Sequence, residues 1–298
     1  KGLGVLADDF NGDGWLDLLV ANDGQENFLW VQYEQGVFSN EALLRGVALN
    51  RQGEAEANMG VVAEDFNEDG WLDLLITHLR QESNTLYLGN GTGFWGAGQG
   101  QFRDQTTAAG LGVSSLPYTG FGIAAIDFDH DADLDLAIVN GGVKRGPPAT
   151  TQDVPEFWRD YAQPNQLYLN RGEGRFEEAS RQSGGAFTQP VEVSRALAAG
   201  DIDNDGDVDL LLSNCAGPAR LYRNEFPKAG NWLSLNLIDP RLKRVAIGAQ
   251  IQIQAGGRLL TRQCNPSSGY LSVNDLRVHV GLGQCARVDA IRVLWPDG

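Results

Sequence analysis

One nine-residue pattern, repeated four times without a gap, limits this chain's fold more than any other feature. The copies are Asp9-Phe10-Asn11-Gly12-Asp13-Gly14-Trp15-Leu16-Asp17, Asp65-Phe66-Asn67-Glu68-Asp69-Gly70-Trp71-Leu72-Asp73, Asp127-Phe128-Asp129-His130-Asp131-Ala132-Asp133-Leu134-Asp135 and Asp201-Ile202-Asp203-Asn204-Asp205-Gly206-Asp207-Val208-Asp209, starting 56, 62 and 74 residues apart. A short Gly/Ala/Val stretch comes before each, as in Gly60-Val61-Val62-Ala63 and Gly122-Ile123-Ala124-Ala125. A β-type run follows each: Leu18-Leu19-Val20, Leu74-Leu75-Ile76, Leu136-Ala137-Ile138-Val139 and Leu210-Leu211-Leu212. A third strand signal recurs at Phe28-Leu29-Trp30, Leu86-Tyr87-Leu88, Leu167-Tyr168-Leu169 and Leu221-Tyr222, and a fourth at Val37-Phe38, Gln101-Phe102-Arg103 and Arg175-Phe176. Four short strands in a unit of this length predict the blade of a β-propeller, an all-β architecture in which neighbouring blades must stack to bury their faces. With 38 Gly the chain turns often, which suits short strands better than long helices. The chain opens directly into strand-like Gly2-Leu3-Gly4-Val5-Leu6, and four repeats of this length are not expected to close a ring. Further blades upstream are therefore expected, about seven in all.

The loop's chemistry follows from its spacing. Oxygen groups at positions 1, 3 and 5, a backbone carbonyl at 7 and a carboxylate at 9 supply six or seven hard ligands, an arrangement suited to Ca²⁺. Asp9, Asn11, Asp13, the Trp15 carbonyl and Asp17 form the first expected set, and Asp65, Asn67, Asp69, Trp71 and Asp73 the second. Asp127, Asp129, Asp131, Asp133 and Asp135 form the third, and Asp201, Asp203, Asp205, Asp207 and Asp209 the fourth. Gly at position 6 permits the sharp turn; the third copy has Ala132 there. The loop is not an EF-hand, because position 12 is Val20, Ile76, Ile138 or Leu212 instead of Glu, and β runs flank it. Nineteen of the 39 acidic residues lie in these four segments and their immediate neighbours. So dense a charge needs cations before it can fold, so about four structural Ca²⁺ are expected, halving the formal net charge of −16.

The rest of the chain excludes more than it offers. A net charge of −16 without Lys/Arg clusters argues against nucleic acid. No apolar run approaches the roughly 20 residues of a membrane helix. The three histidines, His78, His130 and His279, have no ligand spacing, and His130 is expected to point to solvent. No Gly-x-Ser-x-Gly, His-Glu-x-x-His or Cys-x-x-Cys occurs, so no enzyme is expected. Trp15 and Trp71 are expected to pack their rings between blades. Cys264 and Cys285 either bridge or stay as free thiols. Asn90-Gly91-Thr92 is a glycosylation sequon.

The repeats, with their Gly-x-Gly-x-Phe turns, resemble the FG-GAP/VCBS repeats of integrin-α-like propellers over residues 1–228. Beyond the break Asn224-Glu225-Phe226-Pro227-Lys228-Ala229-Gly230, residues 229–298 resemble an ASPIC/UnbV domain. The motifs are Asn231-Trp232-Leu233, Ile247-Gly248-Ala249, Gly269-Tyr270-Leu271-Ser272, His279-Val280-Gly281-Leu282-Gly283 and Trp295-Pro296-Asp297-Gly298. The strict alternation of Ala249-Gln250-Ile251-Gln252-Ile253-Gln254-Ala255 independently predicts a small β domain there. The combination is similar to the cartilage acidic protein family, bacterial relatives included. That resemblance implies a secreted or cell-surface (in bacteria, also periplasmic), calcium-binding, non-enzymatic protein.

The expected function is a binding or adhesion module for a protein or carbohydrate ligand. A subunit of a self-assembling extracellular structure, or a non-catalytic part of a larger enzyme, are the alternatives. Loops of an antiparallel blade alternate between its two ends. The metal loops thus share one end, and the links 39–58, 103–119 and 177–194 share the other with the 141–165 insertion. Trp158 and Tyr161, in that insertion, are the candidate partner anchors.

Overall fold

A computed structural model describes residues 1–90, 100–151 and 153–296; of the sequon, Gly91 and Thr92 lie outside the described residues. Each repeat folds as an antiparallel sheet. Blade 1 is Gly2–Asp8, Asp17–Asn22, Phe28–Glu34 and Val37–Asn40, paired in that order. Blade 2 is Val61–Glu64, Asp73–Ile76, Thr85–Asn90 and Gln101–Asp104. Blade 3 is Gly120–Ile126, Asp135–Asn140, Gln166–Asn170 and Phe176–Glu178. Blade 4 has three strands, Ser194–Gly200, Asp209–Asn214 and Arg220–Tyr222.

Register places the acidic loops identically. Asp8 pairs with Asp17, Glu64 with Asp73, Ile126 with Asp135 and Gly200 with Asp209, so each loop closes the same hairpin at the same end of its blade. Successive strand residues point to opposite faces, and both faces of an inner blade are apolar. Leu19, Leu29 and Val31 of blade 1 meet Leu74, Ile76 and Tyr87 of blade 2. Leu75 and Leu86 then meet Leu136, Ile138 and Tyr168 of blade 3, and Ala137, Val139 and Leu167 meet Leu210 and Leu212 of blade 4. The two outermost faces carry the equivalent side chains uncovered. Val5, Trp30 and Phe38 on blade 1, with Leu211 and Leu221 on blade 4, are exposed by 36 % (Trp30) to 58 % (Leu221).

Residues past the Pro/Gly break form a second unit. Its strands are Asn231–Leu235 paired with Val278–Gly283, and Arg258–Gln263, Gln250–Ala255 and Ala290–Leu294 in one sheet. The alternation of 249–255 reads true on one side: Ile251 and Ile253 are fully buried in this unit's core. The unit is not merely appended. It lies over the acidic loops and sends residues 265–277 between the first strands of blades 2, 3 and 4. Gly269 exchanges two backbone hydrogen bonds with Val61 (3.1 and 2.7 Å), Asp275 N–H donates to Ala199 O at 2.9 Å, and the Tyr270 ring lies 5.1 Å from Phe121.

The 141–165 insertion follows the second strand of blade 3, at the end away from the acidic loops. It holds the 3-10 turn Glu156–Trp158, and Gln163–Pro164 pairs with Val191–Glu192 of the next link. Gly141 N–H and Gln163 Oε1 both bond the Thr119 backbone, which joins the insertion to the 103–119 link as well.

Candidate metal centres

The loop is held in shape by its own carboxylates. At position 1, Asp9 accepts N–H bonds from Gly12 (2.8 Å), Asp13 (3.1 Å) and Gly14 (2.7 Å); Asp65 and Asp127 do the same from positions 5 and 6. At position 5, Asp13, Asp69, Asp131 and Asp205 accept the N–H of position 7 at 2.8–3.0 Å. At position 3 the oxygen of Asn11, Asn67, Asp129 or Asp203 accepts the N–H of position 5. In loops 1 and 2 the amide nitrogen of Asn11 and Asn67 also donates to Asp13 and Asp69.

Position 9 reaches further. Asp17, Asp73, Asp135 and Asp209 each accept one N–H from position 2 of their own loop, at 3.0–3.2 Å. With the other oxygen each accepts one N–H from the third strand or just past its end: Gln32, Gly89, Asn170 and Asn224, at 2.8–2.9 Å. One carboxylate thus ties the loop to two strands, four times over.

Buried anions at this density are costly. Burial pushes the Asp17, Asp65 and Asp127 carboxyls up to about 7 despite their N–H donors, and those of Asp73 and Asp135 well above the ordinary range. Asp127, Asp129 and Asp135 bring oxygens within 4.8 Å of one another, as do Asp201, Asp203 and Asp209. Asp201 Oδ1 is buried without a hydrogen-bond partner. All-oxygen sets with spare lone pairs fit a hard divalent cation. The position-7 residues Trp15, Trp71, Asp133 and Asp207 sit on the same turns. Trp71 is buried, whereas Trp15 is exposed, which rules out the expected inter-blade packing for Trp15.

Spacing gave no hint of what covers these loops. His130 does not point to solvent: it is buried, its ring 5.1 Å from His279 of the tail, with Trp232 stacked on His279. His279 also bonds Gly206 O at 2.8 Å. The tail carries eight Lys and Arg against four Asp, a net +4, whereas residues 1–228 carry −20. Arg258 pairs with Glu68 and with Asp133 (2.7 Å), Arg277 with Asn204 Oδ1 (2.7 Å), and Lys228, in the break before the tail, with Asp207 (3.1 Å). Glu68, His130 and Asn204 all occupy loop position 4 with left-handed backbone, and all three touch the tail. Three other acidic or imidazole groups lie apart from the loops or at their edges. Asp8 and Glu64, just before loops 1 and 2, are pushed by burial up to about 6 and about 8, and His78 is fully buried 3.5 Å from Glu56.

Of the candidate anchors, Trp158 and Tyr161 have ring centres 5.9 Å apart and are half-buried behind Phe157, the exposed ring of the cluster. Cys215, Cys264 and Cys285 are free thiols.

Residues 9–76, 65–138 and 157–212 match the FG-GAP-like repeat family, and residues 239–298 match ASPIC and UnbV. Cartilage acidic protein 1 of Xenopus tropicalis is 30 % identical over 290 residues, 95 % of this chain and 40 % of that protein. The human protein of the same name is 36 % identical over 102 residues, 34 % of this chain and 15 % of its own length. The chain therefore spans well under half of the curated relatives it matches. Among solved structures, a rhamnogalacturonan lyase of Bacillus licheniformis overlaps 93 % of this chain and 51 % of its own at 13 % identity and a TM-score of 0.38.

Proposed function

Since the chain belongs to the FG-GAP-like repeat family and ends in an ASPIC and UnbV domain, we propose that it is a calcium-loaded binding or adhesion module of an extracellular protein, not an enzyme. The four-fold position-9 carboxylate carries the calcium part of this reading. Asp17, Asp73, Asp135 and Asp209 are buried and already bonded to two strands. An ion shared with positions 1, 3 and 5 would neutralise them where they stand. The expected ligands are those side chains with the carbonyls of Trp15, Trp71, Asp133 and Asp207, and the ion's contribution is charge compensation that locks the hairpin. The extracellular placement rests on the similarity to cartilage acidic protein 1. The partner surface assigned by this reading is the insertion end, where Phe157, Trp158 and Tyr161 cluster on three joined links.

Calcium titration of the dialysed protein tests the first part. About four ions per chain are expected, with a sharp drop in melting temperature on adding EGTA. Fewer than two ions, or no thermal shift, would sink it. A second reading is a subunit of a larger extracellular assembly. Light scattering separates the two: a single mass independent of protein concentration supports the module.

A further inference from the structure

We propose that the ion of loop 3 is sealed beneath the tail and exchanges far more slowly than the others, and that the tail keeps its seat only while that ion is bound. This rests on the calcium reading above.

The four loops are covered unequally. Loop 1 leaves Asp13 to Leu16 exposed, loop 4 leaves Ile202 to Asp205 exposed, and loop 2 leaves Asp69; loop 3 exposes none of its nine residues. The cover on loop 3 is specific. Four successive carbonyls each accept an N–H from the tail or its leading link: Asp129 O from Ala229, His130 O from Gly283 (3.0 Å), Asp131 O from Arg258 (2.9 Å) and Ala132 O from Arg262 (3.0 Å). Gly281 lies so close that a Cβ there would stand 1.8 Å from Asp127 Oδ2, one of the expected ligands. The methyl of Ala132 belongs to the tail's apolar core with Ile251, Ile253 and Val280. This accounts for Ala at a position with φ +82°, where the other loops have Gly. The strain of a left-handed Ala is offset by burying its methyl.

The other loops give the tail fewer backbone carbonyls and keep exposed residues. Loop 4 offers Asp201 O and Asn204 to Arg277 and Gly206 O to His279, and loop 2 offers the Glu68 side chain to Arg258. Loop 1 meets the tail at its edge, where Gln250 lies 3.5 Å from Asp8.

Both layers of loop 3 depend on one backbone curve. The carboxylates of Asp127, Asp129 and Asp135 converge on one side of it, where an ion would sit, while the carbonyls of 129–132 face the tail. Without the ion, Asp127, Asp129, Asp131 and Asp135 repel one another, the curve opens, and four aligned acceptors are lost together. By linkage the tail strengthens ion binding by the factor with which the ion strengthens docking.

The test uses the whole chain loaded with Ca²⁺ and mixed with an excess of fluorescent chelator. About three ions are expected in a fast phase and one in a phase about ten-fold slower or more. Hydrogen exchange of residues 265–277 should stay slow until that last ion leaves. Arg258→Ala should speed the slow phase about ten-fold at unchanged ion count, whereas Arg277→Ala, which loosens only the grip on loop 4, should leave it slow. Release of all ions in one phase, or equal acceleration by both variants, overturns the proposal and leaves the calcium reading standing. Absence of bound ions at the start overturns both.

Discussion

At the scale of single residues, position in the nine-residue pattern decides burial, and burial decides chemistry. The acidic loops were legible because a carboxylate every second residue has few uses besides a hard cation. Their partners were not: that Asp135 also bonds Asn170 N–H depends on where the third strand ends, which spacing within the loop does not encode. His130 was misread for a related reason. A left-handed residue at a loop apex points outward, and outward here means into the tail. His78 gives a test away from the loops. Burial holds its imidazole down at about 4, against 6.5 when free, and its carboxylate neighbour Glu56 is pushed upward by burial. The folded protein therefore takes up the His78 proton later than the unfolded chain does. This contribution to stability is complete above pH 6.5 and is lost as pH falls toward 4, by up to about 3 kcal/mol. His78→Gln should flatten that limb of a melting-temperature profile relative to wild type; parallel profiles would refute it.

At the scale of strands and blades, the recurring Gly/Ala/Val stretch was readable as a strand, but the reason for its glycine was not. A Cβ on Gly60 would lie 2.1 Å from Phe121 O, the backbone of the next blade's first strand. Blade 4 has Ala196 at the equivalent position, half-buried with no further blade beside it among the described residues. Glycine thus marks where one inner strand leans on the next, a contact between residues 61 positions apart that only stacking reveals. Gly60→Ala should cost about 2 kcal/mol or more by overpacking. Ala196→Gly should cost less than half of that in the same denaturant titration, and equal losses would contradict the steric account.

At the scale of the whole molecule, the two ends of the blade stack differ in kind. The acidic end is covered by a cationic tail; the other end presents joined loops. The segment 224–230 carries Pro and Gly, whereas the tail's seat was not legible, because pairs such as Arg277–Asn204 and Arg258–Glu68 lie 73 and 190 positions apart with no repeating pattern on the tail side. If partners dock at the loop end, replacing Trp158 and Tyr161 with Ala should weaken capture of the ligand from extracellular extract about ten-fold. Calcium stoichiometry should be unchanged. Full retention of capture would move the partner surface elsewhere, and Phe157, the outermost ring of the cluster, is then the next substitution.

Residues 265–277 lie between the first strands of blades 2, 3 and 4, yet they come later in the chain than every blade they touch. During synthesis, then, the blades emerge and meet while their shared filler is still unmade, and their inner edges face water in the interval. The segment that contacts all three inner edges is thus the last of these partners to be made.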